Sequence, residues 1–110
     1  MPKDFYYKNY SSINTAMQTH NSIMPSETFT LIDYNLLCLA KSFYDSNQQL
    51  YMTNEQLAAQ FFACEKTIRN SINRLCRFGF IKKEKIFKNR YLVYQPQTVE
   101  KFILDMKSEP

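Results

Sequence analysis

The spacing of apolar side chains predicts a strong helix from about Leu31 to Tyr44. Its apolar stripe is Leu31, Tyr34 and Cys38, and further leucines and isoleucine widen it, so most of this helix should be buried. Thr30 lies where an N-cap is needed and Asp33 follows three residues later. The polar run after the helix, residues 45–47, carries turn chemistry, and residues 49–52 form a candidate brief strand.

A second pair of helices follows. Thr53 and Gln56 have the spacing of a capping box, which opens a short helix over about residues 54–61. A bend is expected near residues 62–63, and a longer helix should run from about Glu65 to Phe78. The inward set of that helix repeats at i, i+3, i+4 and i+7 and consists of Ile68, Ser71, Ile72 and Leu75. Gly79 stands where a helix commonly needs a left-handed residue at its end.

The remaining pattern predicts a β-hairpin and a last helix. Two strand-like runs, 80–87 and 91–95, are separated by Lys88-Asn89-Arg90, which we interpret as the hairpin turn. Thr98 should cap a helix over about residues 99–107. The apolar residues of this helix share one face and are Val99, Phe102, Ile103 and Met106. The predicted fold is therefore mainly α with a small β-hairpin.

The chain divides into three parts on this reading. Residues 1–29 form an N-terminal arm or irregular lead-in, in which the aromatic run 5–10 could be a short strand. Residues 30–95 form the main domain, and residues 96–110 hold the last helix, which either packs on its own domain or makes a dimer contact.

Composition removes several classes of function. A chain of 110 residues suits one domain, and its single Gly excludes a Gly-rich nucleotide-binding loop. The cysteines at 38, 64 and 76 lack the spacing of a disulfide framework or a zinc site, and His20 has no metal-ligand cluster around it. We therefore expect a cytoplasmic protein that is not an enzyme, with no cofactor, no bound metal, no small-molecule substrate and no membrane span.

Positive charge is concentrated in one stretch. The formal net charge is +4, yet residues 64–90 hold nine basic side chains against Glu65 and Glu84, or +7, which leaves −3 for the rest. A basic patch on an otherwise slightly acidic molecule is typical of a protein that binds a polyanion, although a solvated basic face without a partner gives the same pattern.

The order of elements and several local motifs resemble the winged helix-turn-helix superfamily. The resemblance is carried by 52–58 (MTNEQLA), 64–69 (CEKTIR), 72–75 (INRL) and 78–83 (FGFIKK). It is strongest toward small winged-helix proteins of plasmids, phages and other mobile elements of low-GC bacteria, including replication initiator domains and partition adaptors. Two positions depart from the pattern. Phe62 replaces the usual bend glycine, which implies a bend that avoids left-handed backbone or is strained, and Cys64 replaces the usual serine cap.

The resemblance implies that the helix from Glu65 reads DNA and that the hairpin is a wing. With the inward set buried, the reading helix should present the following residues to a major groove: Lys66, Thr67, Arg69, Asn70, Asn73, Arg74 and Arg77. The wing should contact phosphates, or a minor groove at its tip, through Lys82, Lys83, Lys85, Lys88, Asn89 and Arg90.

The sequence thus predicts specific binding of double-stranded DNA in transcription regulation, or in replication or partition of a mobile element. A homodimer through the last helix would match inverted half-sites. Two alternatives stay open: a winged-helix protein-interaction module, and a single-strand binder whose aromatic residues Phe5, Tyr6, Tyr7 and Tyr10 stack on bases.

Overall fold

A computed structural model describes residues 10–108 of the chain. In chain order the elements are α1 (Ser11–Ile23), α2 (Leu31–Asp45), α3 (Asn54–Phe61), α4 (Glu65–Arg77), β1 (Ile81–Ile86), β2 (Asn89–Tyr94) and α5 (Pro96–Lys107). The fold is mainly α with a small two-stranded antiparallel hairpin, arranged as a winged helix-turn-helix, which confirms the predicted class. Within the described residues, no helix is both long and apolar enough to cross a membrane.

Helix α1 lies inside the segment that the sequence analysis interpreted as an arm or irregular lead-in. Ile13, Ala16, Met17 and His20 are buried along one side of it at helical spacing, and this side packs against α5. This helix was not predicted, whereas the irregular backbone expected around Pro25 is present at residues 24–29. The aromatic residues of the expected arm up to Tyr7 lie outside the described residues.

Helix α2 is the buried centre of the domain, and its start is fixed by the predicted capping box. The Thr30 side chain accepts from the Asp33 backbone N–H, and the Asp33 carboxylate accepts from the Thr30 backbone N–H at 2.8 Å. Leu36 and Leu37 are fully buried. Leu31 is 71% exposed, so it does not belong to the inward stripe in which the sequence analysis placed it.

Helices α3 and α4 form the helix-turn-helix. Thr53 and Gln56 make the predicted reciprocal capping bonds at the start of α3. The helix ends at Phe61, and its C-cap Phe62 has a φ of 54°, in the left-handed region. The prediction that the bend avoids left-handed backbone is therefore wrong. The alternative prediction, that Phe62 is a strained residue, agrees with its φ. Helix α4 buries the predicted inward set and packs against α2.

The hairpin is a regular antiparallel ladder from Ile81 opposite Tyr94 to Ile86 opposite Asn89. Its turn is therefore the two residues Phe87 and Lys88, and the predicted turn at 88–90 is wrong by one position at its start and two at its end. Leu50 forms only an isolated β-bridge with Leu92. The brief strand predicted at residues 49–52 is therefore present only as this one bridged residue pair. The register is set by burial, because Ile81, Leu92 and Tyr94 occupy the same face and pack in the core.

Helix α5 begins at Pro96 with Gln95 as N-cap, three residues before the predicted start, for which Thr98 was the expected cap. Proline is favoured here because the first helical N–H has no partner within the helix. Val99 and Ile103 are buried in the core, and Phe102 and Met106 pack against it. The face offered for a dimer is thus used within the chain, and a homodimer through it stays a prediction.

An aromatic cluster joins α1 and α5 to the end of α4. The ring of Phe29 lies 4.7 Å from that of Phe78, and Phe80 lies 4.9 Å from Phe102. His20 packs against three of these rings while its Nε2 lies 3.0 Å from the Glu27 carbonyl oxygen. The helices outside the helix-turn-helix therefore extend its core around the foot of the wing.

A buried polar network ties α4 to α2. The Asp33 side chain is fully buried, and its Oδ1 accepts a 2.5 Å hydrogen bond from the Ser71 hydroxyl. The Arg74 guanidinium donates to both carboxylate oxygens at 2.8 Å. One carboxylate thus caps α2 and binds two consecutive turns of α4.

Replacing Arg74 by methionine should cost about 3–5 kcal/mol of unfolding free energy, because it leaves the Asp33 charge buried without its partner. Arg77→Met is the matched control: it lies one turn later and breaks only the exposed pair with Glu27, worth about 1 kcal/mol or less. Urea unfolding measures both. Adding Asp33→Asn to Arg74→Met should restore part of the loss, and equal effects of the two single variants would contradict the assigned role of Arg74.

Candidate nucleic-acid interface

The outer face of α4 carries a continuous polar and basic stripe. Lys66, Arg69, Asn70 and Asn73 are exposed on it, and they recur every three or four residues. This arrangement follows from the buried inward set, since the side chains between buried positions must point outward. The stripe offers guanidinium and amide groups, which are the donors that pair with guanine and adenine edges in a major groove.

The two arginines at the end of α4 are engaged inside the molecule. Arg74 is half-buried on Asp33, as described above. The Arg77 guanidinium lies 2.6 Å from the Glu27 carboxylate, but with 64% of its side chain exposed it can exchange that partner for another anion. Of the three arginines predicted on this helix, Arg69 is the one whose guanidinium is exposed and not in an ion pair among the described residues.

The hairpin brings lysines to the side of this stripe. Alternation along β1 places Lys83 and Lys85 on the face shared with buried Ile81, and Lys82 on the opposite face. The Lys83 ammonium lies 3.5 Å from the Asn73 side-chain oxygen, which joins the wing to α4. These lysines are exposed, so the helix stripe and one face of the wing form a single positive surface.

Arg90 holds the wing in place and is not at its tip. Its guanidinium donates to the Asn54 side-chain oxygen at 2.6 Å and to the Met52 carbonyl oxygen. Burial lowers the pKa of Arg90 from its ordinary value. Asn89 is exposed but paired with Ile86 at the end of the ladder.

A groove separates the wing from the N-termini of α3 and α4. It is lined in part by Glu55 and Glu65 together with Lys88 and Arg90. The two carboxylates offset the two cations, so this groove attracts a nucleic-acid backbone less than the Lys83 side of the wing does.

The tip of the wing is Phe87 with Lys88. Phe87 is 96% exposed and has a φ of 57°, and Ile86 beside it is also exposed. Sequence reasoning missed Phe87 because it assigned the turn to the more usual turn residue Asn89. The available signal was the apolar pair 86–87 standing between two lysines, where a solvated turn would be polar.

The start of α4 is chemically distinct. Cys64 is its N-cap but makes no capping hydrogen bond of the usual side-chain kind, and its Sγ lies 3.2 Å from the Thr67 hydroxyl. That hydroxyl lowers the pKa of the exposed Cys64 thiol. Thr67, predicted to contact DNA, is exposed and shares this contact. Over residues 10–108, no group of three or more histidine, cysteine or carboxylate side chains is placed to hold a metal ion.

The elements that carry this surface are similar to a known family of domains. Residues 31–81 match the family model described as "Helix-turn-helix domain". The match runs from the first residue of α2 to the first residue of the wing, a little under half of the chain, and so includes the whole helix-turn-helix. Among curated proteins, none matches the chain.

One solved structure shares the fold. It is the crystal structure of ST1889 protein from the thermoacidophilic archaeon Sulfolobus tokodaii, with a TM-score of 0.55 and 20% identity. The alignment covers 84% of this chain and 91% of that one. The likeness therefore extends beyond the helix-turn-helix to most of the molecule, and at this identity it concerns the fold alone.

The thiols of Cys64 and Cys38 should react in an order set by this structure. A lowered pKa and full exposure give Cys64 more thiolate at neutral pH, whereas burial raises the pKa of Cys38 to about 12. We expect Cys64 to react first with a disulfide reagent and Cys38 only on unfolding, as followed by absorbance and peptide mass analysis. Cys64→Ser should remove the fast phase. A fast phase that survives this substitution would contradict the geometry.

Proposed function

We propose that this chain binds double-stranded DNA in a sequence-specific way, with α4 in the major groove and the wing on the flanking backbone. The observation that carries the proposal is the contact between Lys83 and Asn73, because it merges the stripe of α4 with one face of the wing. A helix of this size fits the major groove of B-DNA, and phosphate contacts on either side fix its register.

The residues divide by role in this proposal. Arg69, Asn70 and Asn73 contact base edges, and Lys66 and Thr67 at the start of the helix contact bases or phosphate. Lys83, Lys85 and Lys88 contact phosphates, because lysine is a mobile point charge with little base selectivity. Arg74 and Arg90 are positioning residues, since their guanidinium groups are held by Asp33 and by Met52 and Asn54.

The cellular role in the proposal is transcription regulation, or replication or partition of a mobile element, without enzymatic activity. The resemblance to small winged-helix proteins of plasmids and phages supports it. For the alternative of single-strand binding, Tyr10 offers no stacking surface, because it is 1% exposed and donates its hydroxyl hydrogen bond to Asp45.

Binding to duplex DNA should weaken steeply with salt, with a slope of log K against log salt steeper than about −3, because each neutralised phosphate contributes about −0.9. Lys83→Gln should make the slope shallower by about one contact, whereas Lys82→Gln, with the same change in net charge on the opposite face, should change it less. Fluorescence anisotropy at several salt concentrations measures this. A nearly flat response of the parent would exclude duplex DNA as the ligand. Equal effects of the two substitutions would contradict the assignment of the Lys83 face of the wing as the DNA-contacting face.

Sequence preference should depend on the exposed stripe of α4. A duplex selected from a random library supplies the specific site, and competition with unselected duplex gives the specificity ratio. Arg69→Ala and Asn73→Ala should each lower that ratio, which corresponds to a loss of about 1–3 kcal/mol in the free energy of discrimination. Arg77→Ala is the control at the paired end of the helix and should lower affinity on both duplexes equally. Variants at 69 and 73 that keep the parent's ratio would refute base reading by α4.

A further inference from the structure

Phe87 occupies a position that glycine normally fills. A two-residue hairpin turn with positive φ at its first central residue alone has the φ pattern of a type II′ turn, in which glycine is preferred there. A left-handed backbone is costly for a residue with a Cβ, and an aromatic ring that is 96% exposed gains no burial to offset that cost. The folded domain alone gives no reason for phenylalanine at this position.

The surroundings of Phe87 point to a ligand with both apolar and anionic parts. Exposed Ile86 precedes it, and Lys85 and Lys88 stand on either side. Nucleic acid has this composition, because stacked bases lie a few ångströms behind a row of phosphates. Apolar side chains of this kind enter base steps from the minor groove in several architectural DNA-binding proteins.

We propose that Phe87 is a wedge that inserts partway into a base step of the minor groove next to the major groove occupied by α4. This proposal rests on the proposed function and adds a deformation of the duplex to it. The lysines beside the wedge hold the two phosphate backbones, and the inserted ring unstacks one step and unwinds the duplex locally.

The reach of the wing fits this placement. Lys83 marks the point where the hairpin meets α4, and Phe87 lies four residues farther along the chain, about 13 Å in an extended strand. Neighbouring major and minor grooves are about half a helical turn apart, roughly 17 Å along the axis. The exposed ring adds the remaining few ångströms.

The wing is also held firmly enough to act as a wedge. Arg90 ties the hairpin to Met52 and Asn54 at the start of α3, and the Leu92 backbone N–H donates to the Leu50 carbonyl oxygen at 2.9 Å. The base of the hairpin is thereby fixed to the helix-turn-helix that sets the position of the duplex.

A topoisomerase relaxation assay tests the wedge without knowledge of the preferred site. Closed circular plasmid is relaxed in the presence of the full chain, and the change in linking number is divided by the amount of protein bound, measured by anisotropy in the same buffer. The parent should shift the topoisomers. Phe87→Gly should remove most of the shift per bound protein and weaken duplex binding about tenfold while keeping the salt dependence, whereas Phe87→Leu should keep much of the shift.

Phe62→Gly is the matched control. Phe62 has a φ of 54° and is 93% exposed, but it stands in the turn before α4 and not on the wing. Both glycine variants should raise the melting temperature, because glycine relieves the left-handed backbone. The Phe62→Gly variant should keep the parent's shift in linking number per bound protein.

The outcomes separate the two proposals. A parent that binds duplex DNA with strong salt dependence but leaves the linking number unchanged overturns the wedge and leaves the proposed function standing. A Phe87→Gly variant that shifts topoisomers like the parent also overturns the wedge. A parent that prefers single strands, with the preference lost in Phe87→Gly, assigns Phe87 to base stacking and overturns both the wedge and the proposed duplex binding. A parent whose binding does not depend on salt also overturns both proposals.

Discussion

The orientation of α4 depends on one buried carboxylate. Asp33 caps α2 through the Thr30 backbone N–H and also accepts hydrogen bonds from Ser71 and Arg74. A helix packed by Ile68, Ile72 and Leu75 alone could roll by several degrees, because apolar contacts are not directional. Three bonds to a fixed carboxylate select one orientation, and that orientation decides which side chains of α4 face outward.

The same bonds change what the basic stretch can offer to a partner. A count of positive residues treats all arginines of residues 64–90 alike, but the structure holds Arg74 and Arg90 on acceptors within the chain. The exposed charge that remains is mostly lysine, together with Arg69 and with Arg77, which is exposed although paired with Glu27. In the proposed function, the lysines supply attraction to phosphates over a broad surface, and geometric selectivity comes from the few rigid groups on the helix face.

The local signals in the sequence predicted the local structure well. Both capping boxes follow from a three-residue spacing, and the exposed face of α4 follows from the period of its buried set. The partners of Arg74 and Arg90 could not be predicted in this way, because Asp33 and Asn54 are 41 and 36 residues away. Only the tertiary fold brings these groups together.

Two elements were misjudged for a different reason, which is that packing overrode local preference. Asn89 is the better turn residue, yet the ladder takes the register that buries Leu92 and Tyr94 beside Ile81, and this moves the turn to Phe87. Helix α1 was missed because its buried face includes His20, a polar residue whose ring the aromatic cluster accommodates. In both cases the deciding contacts lie far along the chain.

The groups that hold α4 and the groups it exposes are separate sets of residues. Ser71 and Arg74 face Asp33, while Arg69 and Asn70 face solvent and make no contact that the core requires. Such a division makes the molecule tolerant to diversification, because the exposed positions can be randomised without a large loss of stability. A library of helix-compatible residues at these positions would therefore yield mostly folded proteins, so the surface of α4 can change while the fold is kept.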